Sequence, residues 1–582
     1  MVRKSVHQAV RGYDESIRDG LEDWDFWLHC ASLGYWGSTI PEYLDWYRRR
    51  RAHADRWKNW DRGEKEREFQ SRLRERYPKL WNGEFPRVRL RWHMPNDPVP
   101  DTLPCENILE KSGTRLLMIV PWLAMGGADK FNLDLLQQVK ERGWDVTIAT
   151  TLQSDDSWYS EFARHTPDIF ILHHFLRLVD YPRFLRYLIR SRQVDTVLIS
   201  NSELGYLLLP YLRAHFPNVA FVDFCHIEEE RWKNGGYPRM AVEYQALLDT
   251  NIVSSEHLKR WMVRRGAQAD RVQVCYTNVD TETWRPESQR RAIIRRDLAV
   301  AETTPVLLYA GRICPQKQPR VFAATMLRLC EQGLSFIALV AGDGPDLGWL
   351  RKFLSKHKLT QRVRLLGPVS IERMQQLMMA ADIFFLPSQW EGIALSIYEA
   401  MASGLPVVGA DVGGQRELVT PDCGVLIERS DEGIQTARYA EILAALMRNP
   451  QQRAEMGSAG RARVSGDFRL EHMGRTMIAL FRQAIADHPD RVSSAPSLGL
   501  GRICAAQAIE YVRVFHLSET LWNNGHVPLN TRLFSNGLDW RAPLYRILRS
   551  AYEPFYRRGM RRGRAWYFPL AEKVKEALLR PR

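Results

Sequence analysis

Short apolar runs alternate with longer amphipathic stretches through most of this chain, in two successive series. The first series has runs at residues 116–120, 146–150, 168–172, 196–200, 219–222, 251–254 and 272–276, and the second at 306–310, 336–340, 363–366, 383–386, 407–409 and 425–427. Continuous apolar strands separated by helices indicate parallel sheets that are covered on both faces. The pattern predicts an α/β protein with two doubly wound, Rossmann-like domains that face a cleft at the carboxyl ends of their strands.

The stretch 387–408 in the second series has the features of an anion-binding turn. It follows a short apolar run, continues through a polar turn, and enters a helix that is expected to end before Pro406. The start of a helix carries unpaired N–H groups and about half a positive charge, so it binds phosphate well. The predicted phosphate ligands are the backbone amides near Gly392, Ile393, Ala394 and Leu395.

Two glutamates in this stretch, Glu391 and Glu399, are candidate ligand contacts. Eight residues along a helix span about 12 Å at roughly 1.5 Å per residue. Carboxylate pairs that cleave glycosides lie about 5–9.5 Å apart. The spacing therefore favours two separate recognition contacts, one on each side of a bound diphosphate, over an acid/base pair. The alternative is that both are ordinary solvated glutamates on a helix surface.

Two further loops follow predicted strands and could contact the same ligand. Gly126 and Gly127 open a helix after the first apolar run. Glycine lets the backbone approach a ligand, although tight turns use glycine pairs as well. In the second series, Gly311 and Arg312 are followed by Lys317. A guanidinium and an ammonium group just beyond a strand suit a diphosphate.

Taken together, residues 115–488 resemble a GT-B glycosyltransferase of family four, the retaining group that uses nucleotide sugars. The Glu-x7-Glu element of that family matches Glu391 and Glu399, and its Gly-Arg and Lys signature matches the loop at 311–317. The remaining family motifs match a strand-end glycine phrase at 341–345, a late Gly-Gly motif at 412–414 with Glu417, and an interdomain hinge at 278–280.

The resemblance implies a role for each matching donor-side residue. Glu391 would contact the donor sugar, and Glu399 would contact the ribose hydroxyls. Arg312 and Lys317 would hold the phosphates. Because these cations and a helix start can neutralise a diphosphate, neither a metal nor a cofactor is expected beyond the nucleotide sugar itself.

The resemblance also implies that Gly126 and Gly127 of the first domain approach the bound donor. His226 matches the catalytic histidine of the family, although a histidine directly after a strand is often structural. Asp129 stands where the family usually has Glu, and residues 393–394 are Ile-Ala instead of Phe-Gly. Neither departure removes a backbone amide, so donor binding is expected to survive.

Residues 1–95 resemble the C-terminal end of a GT-A glycosyltransferase of family two. The matching phrases lie at 12–15, 22–25 and 47–48, and Asp23 matches the general base of that family. The nucleotide-binding half, with its metal-binding Asp-x-Asp, has no counterpart in this sequence. We therefore expect the segment to be inactive, either a remnant or a truncated domain; the alternative is a helical surface module.

Charge and cysteine content indicate the compartment and the partners. The chain carries 82 Lys and Arg against 68 Asp and Glu, a net charge of +14, which favours anionic partners. Its 8 cysteines form no C-x-x-C pair, which is typical of a reducing compartment. No apolar run reaches the roughly 18 residues of a spanning helix, and no signal peptide is recognisable. The predicted location is cytoplasmic, either free or peripheral on the inner face of the plasma membrane.

The tail beyond residue 493 is basic and aromatic, most densely at 552–568. Such segments bind anionic membrane surfaces or nucleic acid, or form a solvated helical cap. A membrane surface is favoured because related transferases use lipid-linked acceptors. Nucleic acid is not expected as a partner, because basic and acidic residues are mixed until the tail.

The predicted organisation is a partial GT-A-like segment at 1–95, a linker at 96–113, an acceptor domain at 114–290, a nucleotide-sugar domain at 291–490 and a basic helical tail at 491–582. The predicted function is transfer of a hexosyl group from a nucleotide diphosphate sugar to a saccharide or lipid-linked saccharide, with retention, in bacterial surface polysaccharide assembly. The alternatives are a nucleotide-sugar epimerase of the same fold and a non-catalytic scaffold in a glycan assembly complex.

Overall fold

A computed structural model describes residues 4–17, 21–35, 64–84, 86, 99–103, 105–229, 232–491 and 495–523. The chain divides into two compact units, residues 1–508 and 509–582. Both sheets lie in the first unit, and the described part of the second unit is the end of a single helix.

The first sheet has seven parallel strands in the order β3-β2-β1-β4-β5-β6-β7. The strands are β1 Arg115–Val120, β2 Asp145–Thr150, β3 Ile169–Ile171, β4 Thr196–Ser200, β5 Ala220–Cys225, β6 Thr250–Val253 and β7 Val272–Val274. Strand order reverses beside β1, the point at which doubly wound folds open a ligand crevice.

The second sheet has six parallel strands in the order β10-β9-β8-β11-β12-β13. The strands are β8 Val306–Ala310, β9 Ile337–Ala341, β10 Val363–Gly367, β11 Ile383–Leu386, β12 Val407–Asp411 and β13 Gly424–Glu428. Here the order reverses between β8 and β11, so the loops that follow these two strands meet.

Helices cover both sheets. The N-terminal region holds α1 Lys4–Ala9, α2 Glu22–Ser32, α3 Glu64–Arg76 and α4 Pro78–Trp81. The first domain holds α5 Gly127–Glu141, α6 Tyr159–Ala163, α7 Tyr181–Ser191, α8 Glu203–Leu207, α9 Leu209–His215, α10 Gly236–Glu243 and α11 Glu256–Arg264. The second holds α12 Ser288–Asp297, α13 Pro319–Glu331, α14 Leu347–Lys356, α15 Ile371–Ala380, α16 Leu395–Ala402, α17 Gln415–Leu418, α18 Glu432–Arg448 and α19 Pro450–Asp467, and α20 Leu470–Arg491 and α21 Leu498–Asn523 follow.

Short 3-10 turns complete the described elements. They lie at Leu172–His174, Leu178–Asp180, Gln245–Leu247, Ala269–Arg271 and Pro315–Lys317. The turn at Leu172–His174 directly follows β3, and the turn at Pro315–Lys317 lies in the loop after β8. These two turns therefore shape the carboxyl edges of the two sheets.

The predicted fold class is confirmed, because every one of the thirteen apolar runs coincides with a strand. Several boundaries differ, and the largest extension is that of β5, which continues to Cys225 although Asp223 interrupts the apolar run. Asp223 is fully buried, and its carboxylate accepts hydrogen bonds from Tyr206 Oη at 2.7 Å and Asn251 Nδ2 at 3.0 Å. These donors satisfy the carboxylate inside the sheet, and the apolar pattern does not reveal them.

The chain crosses between the two domains at two adjacent places. Val279 N donates to Phe468 O at 3.0 Å, and Leu470 N donates to Val279 O at 3.0 Å. Asn278, in the left-handed region at φ 63°, also donates through Nδ2 to Arg469 O at 2.8 Å. The predicted hinge segment therefore pairs with the segment that begins α20, and both crossings lie at one pivot.

Helix α20 returns to the first domain. Its residues Met473, Met477 and Phe481 belong to the same buried cluster as Phe131 of α5 and Phe224 of β5. Among the described residues, no helix is both long enough and apolar enough to cross a membrane.

Candidate active site

The two glutamates lie in different local structures. Helix α16 begins at Leu395, after an extended residue, Ala394, whose side chain offers no capping oxygen. Glu391 therefore lies in the turn before the helix, and Glu399 lies in its second turn. The prediction that helical rise separates the two glutamates was wrong, because the turn after β11 continues for eight residues before the helix begins.

The loop after β8 is fastened to the turn after β11. Lys317 Nζ lies 2.5 Å from Glu391 Oε1, and both side chains are largely buried. Gln316 accepts a backbone hydrogen bond from Gln389 N at 2.6 Å, and its side chain donates to Trp390 O at 3.1 Å. The two loops predicted to grip a diphosphate are therefore adjacent, at the point where strand order reverses.

The glycine phrase after β9 supports the β8 loop from behind. Gly311 N donates to Ala341 O at 3.0 Å, and Ile313 N donates to Asp343 O at 2.8 Å. A Cβ atom on Gly342 would lie 1.9 Å from Gly311 O. No larger residue fits at position 342, because its side chain would displace the loop that carries Arg312 and Lys317.

The late Gly-Gly motif supports the β11 turn in the same way. Gly413 has φ 56°, and a Cβ atom there would lie 1.9 Å from Glu391 O. Gly414 N donates to Gly392 O at 2.8 Å. This backbone packing fixes the position of Glu391.

The same turn touches the first domain. A Cβ atom on Gly392 would lie 2.1 Å from His226 O, and one on Gly414 would lie 2.6 Å from Ser255 Cβ. Ser254 Oγ in turn donates to His226 O at 2.7 Å. The segment after β5 and the turn before α16 therefore meet at backbone distance, with His226 at the junction.

Glu417 joins the domains as a helix cap, a role that motif matching alone did not assign to it. Its carboxylate accepts from Glu256 N at 2.8 Å and His257 N at 2.6 Å, the first amides of α11, and from Tyr276 Oη at 3.1 Å. A carboxylate at a helix start is favoured by the helix dipole. The sequence signals the start of α11 at Ser255 and Glu256. It does not identify the capping carboxylate, because Glu417 is 161 residues away from Glu256.

His226 directly follows β5 and is held among aromatic rings. Its ring centroid lies 5.0 Å from that of Phe131 and 4.7 Å from that of Phe224. Burial lowers the pKa of His226 to about 3, so its imidazole is neutral at physiological pH. Its buried Nε2 has no hydrogen-bond partner among the described residues. The ring can therefore offer a neutral hydrogen bond to a ligand.

The glycine pair lies at the start of α5. Gly126 is the extended N-cap residue, at φ −168°, and a Cβ atom there would lie 2.8 Å from Asp129 Oδ2. Asp129 is buried in the first turn, and that burial raises its pKa to about 6. A Cβ atom at position 126 would require the Asp129 side chain to shift, while Gly127 has open space around it.

Glu399 faces α5 of the first domain. Burial raises the pKa of Glu399 to about 8, the positive charge of Lys130 opposes that rise, and the negative charge of Asp134 adds to it. Lys130 and Asp134 form an ion pair one helical turn apart. Neither Lys130 nor Asp134 was predicted from the sequence as a site residue. Their i,i+4 spacing shortly after the glycine pair, which predicts an ion pair on one face of α5, was the available signal.

Arg312 is exposed beyond β8, unlike Lys317, whose side chain is only 15% exposed. Burial raises the pKa of Glu229, which follows β5, and the positive charge of Arg312 opposes that rise. The guanidinium thus acts electrostatically on a carboxylate of the other domain.

Asp23, the base candidate of the partial GT-A-like segment that is expected to be inactive, lies in α2 of the N-terminal region. It is exposed in the first turn of α2, and its carboxylate accepts from Trp24 N at 2.9 Å. The buried carboxylate of this helix is Asp25, which accepts from Tyr77 Oη at 3.0 Å. The matching phrase at 47–48 lies outside the described residues.

Comparisons with known proteins match both domains to glycosyltransferases. Residues 125–283 match the model of Glycosyltransferase Family 4, and residues 290–463 match that of Glycosyl transferases group 1. A GDP-mannose-dependent monoacylated alpha-(1-6)-phosphatidylinositol monomannoside mannosyltransferase of Corynebacterium glutamicum is 30% identical over 209 residues, 34% of this chain and 53% of its own length. A D-inositol 3-phosphate glycosyltransferase of Nocardia farcinica is 31% identical over 264 residues, 44% of this chain and 56% of its own length. The matches thus span about half the length of these curated relatives.

Solved structures share the fold at lower identity. Anabaena Alr3699/HepE in complex with UDP has a TM-score of 0.55 and 20% identity, covering 64% of this chain and 100% of that one. Sucrose-phosphate synthase from Thermosynechococcus elongatus has a TM-score of 0.53 and 20% identity over the same shares. The two Rossmann-like domains and the two family matches agree, and the chain therefore has the two-domain architecture of a GT-B glycosyltransferase.

Proposed function

We propose that this protein transfers a hexosyl group from a nucleotide diphosphate sugar to a saccharide acceptor. The observation that carries the proposal is the junction of the β8 loop with the turn before α16. It places Lys317, Glu391 and the uncapped start of a helix together at the edge where the strand order of the second sheet reverses. Cations and helix amides are the groups that hold a diphosphate.

The donor would lie with its diphosphate between the β8 loop and the start of α16. Arg312 and Lys317 would neutralise the phosphates, and Glu399 would accept or donate a hydrogen bond at the ribose. The ion pair with Glu391 already orients the Lys317 ammonium group, so binding a diphosphate would require little reorganisation of this side chain. A bound diphosphate would then share the ammonium with Glu391, whose other oxygen is left for the sugar hydroxyls.

We propose retention of anomeric configuration, with the acceptor attacking from the face that the diphosphate leaves. The leaving phosphate oxygen would take the acceptor proton, so no carboxylate pair is needed. Positioning and stabilisation of the departing charge would then supply most of the rate enhancement. A neutral His226 fits this scheme as a hydrogen-bond partner of the transferred sugar, since an imidazole with a pKa of about 3 is a poor general base at neutral pH.

The acceptor is proposed to be a saccharide or lipid-linked saccharide of the bacterial cell surface. Support comes from the similarity to a Corynebacterium glutamicum enzyme named for a phosphatidylinositol mannoside. The basic, aromatic tail supports docking on an anionic membrane from the cytoplasmic side. Liposome flotation of the full chain and of a chain ending at residue 492 tests this part, and equal binding would refute it.

The reaction itself is tested by supplying a panel of nucleotide sugars, with and without a mixture of glycan and glycolipid acceptors. We expect one donor to release its nucleoside diphosphate in an acceptor-dependent manner, with the sugar recovered on the acceptor. Conversion of the donor to an epimer without any acceptor would identify an epimerase instead. Failure to bind any nucleotide sugar would favour a scaffold.

A further inference from the structure

Three metal-ligating side chains meet at the carboxyl edge of the first sheet. Asp156 lies in the loop after β2, and His173 and His174 lie directly after β3. The Nε2 atoms of both histidines lie 3.8 Å from Asp156 Oδ2. The potential ligand atoms of all three residues lie within 4.8 Å of one another.

The Asp156 carboxylate is buried and only half satisfied. Its side chain is 3% exposed. Oδ1 accepts from Leu123 N at 3.1 Å, whereas Oδ2 has no hydrogen-bond partner among the described residues. A buried acceptor without a partner destabilises a fold, and more so when it is charged. The free oxygen points to a cation that both histidines could share.

The two imidazole rings are placed so that they could share one ion with Asp156. A neutral imidazole offers a nitrogen lone pair that binds a metal. The two rings pack edge to face, with centroids 4.3 Å apart, which leaves both Nε2 atoms beside one carboxylate oxygen.

We propose that Asp156, His173 and His174 bind a zinc ion. Zinc bonds to histidine nitrogen and carboxylate oxygen are about 2.0–2.2 Å long, which places tetrahedral ligand atoms roughly 3.4 Å apart. The separations of 3.8 Å between Asp156 Oδ2 and the two nitrogens need only a small side-chain adjustment. Two imidazoles and one carboxylate are a ligand set that zinc accepts, with water completing the coordination.

The ion would connect three loops of the acceptor domain. Asp156 already holds the loop after β1 through Leu123 N, and that loop leads to Gly126. Zinc would add the segment after β3 to this pair. The site is distinct from the predicted donor site, where Lys317 and Arg312 supply the positive charge, so it stabilises acceptor-side loops and takes no part in neutralising the diphosphate.

The test is zinc titration of the untagged, full-length chain after treatment with a chelator, followed by calorimetry. We expect one tight zinc equivalent, a raised Tm in zinc, and visible absorption of four-coordinate Co²⁺ in the substituted protein. Asp156→Asn keeps an acceptor for Leu123 N but should weaken zinc binding at least about tenfold. His174→Gln, at the more exposed ligand, should have a similar effect even if Asp156→Asn fails to fold.

Two control variants separate this site from adventitious binding. Asp155→Asn changes the adjacent, exposed carboxylate, and His357→Gln removes a histidine of the second domain. Neither should change the tight equivalent. The proposal is overturned if wild type shows no saturable binding at one equivalent, or if folded Asp156→Asn and His174→Gln bind zinc as tightly as wild type.

Discussion

The Lys317 ammonium group and the Glu391 carboxylate form a largely buried ion pair between the loop after β8 and the turn before α16. The two residues are 74 positions apart and carry the roles expected for a phosphate ligand and a sugar ligand. Their pairing means that neither can be removed without an effect on the other, so function and stability are coupled at this point.

Single and paired substitutions at this ion pair should separate the two effects. Lys317→Ala leaves Glu391 buried and unpaired, so we expect a loss of about 3–5 kcal/mol in the free energy of unfolding together with a strong fall in turnover. Combining Lys317→Met with Glu391→Gln removes both charges and should recover much of the stability but not the turnover. Urea denaturation and initial-rate assays measure the two quantities.

The matched control for these variants is Lys352→Ala, on the exposed face of α14. It should change stability by no more than about 0.5 kcal/mol and leave turnover unchanged. Near-normal turnover in the double variant would show that the ion pair is structural and has no part in donor binding.

Glu399 should make the stability of the protein depend on pH. Its pKa is raised from 4.5 to about 8 in the folded chain, so the folded state binds the proton more tightly than the unfolded state. This contribution is fully present below about pH 4.5 and is lost as the pH rises towards 8. Glu399→Gln should therefore gain about 1–3 °C in Tm over wild type at pH 8.5, and less at pH 5.

Thermal melts of both proteins at the two pH values check this expectation, in buffers of equal ionic strength. Glu282→Gln, at a side chain that is 80% exposed, is the control and should show no pH-dependent difference. An equal Tm difference at both pH values would mean that the Glu399 carboxyl is not protonated in the folded, ligand-free protein.

Gly413 should be intolerant of any side chain. Gly413→Ala combines a left-handed backbone at φ 56° with a Cβ atom 1.9 Å from Glu391 O, so the turn before α16 must move. Gly333→Ala has a similar backbone, at φ 72°, but open space around the added atom. We expect about 1 kcal/mol of destabilisation for Gly333→Ala and more for Gly413→Ala, with donor affinity lowered only in the latter.

Equal effects of the two alanine substitutions would count against the close packing beneath Glu391. Donor affinity measured by calorimetry, beside the urea midpoint, distinguishes a displaced turn from a general loss of stability.

His226 should not act as a titrating base. Because the pKa of His226 is lowered to about 3, this residue should cause no inflection near pH 6.5 in the pH profile of kcat/KM. Any inflection seen there in wild type should persist in His226→Gln. His226→Gln keeps a neutral hydrogen-bonding group and should retain more activity than His226→Ala. An inflection that disappears only in the His226 variants would contradict a neutral role.

The sequence predicted the strands well because each buried parallel strand is a continuous apolar run. It did not reveal the interior of β5, where Asp223 is satisfied by Tyr206 and Asn251 from other elements. The glycine motifs at 341–345 and 412–414 coincide with close backbone packing, since a Cβ atom on Gly342 or Gly413 would lie 1.9 Å from a backbone oxygen. The Lys317–Glu391 pair and the cap by Glu417 depend on partners far along the chain, which local patterns do not encode.

The most direct test of the account is calorimetric titration of the full-length chain with UDP, GDP and ADP, compared with the Lys317→Met and Glu391→Gln double variant. We predict that one nucleoside diphosphate binds with 1:1 stoichiometry and that the double variant, folded by circular dichroism, binds it at least about tenfold more weakly, a difference of about 1.4 kcal/mol. Equal affinity in the two proteins, or no binding of any nucleotide to wild type, would contradict a diphosphate site between the β8 loop and the start of α16.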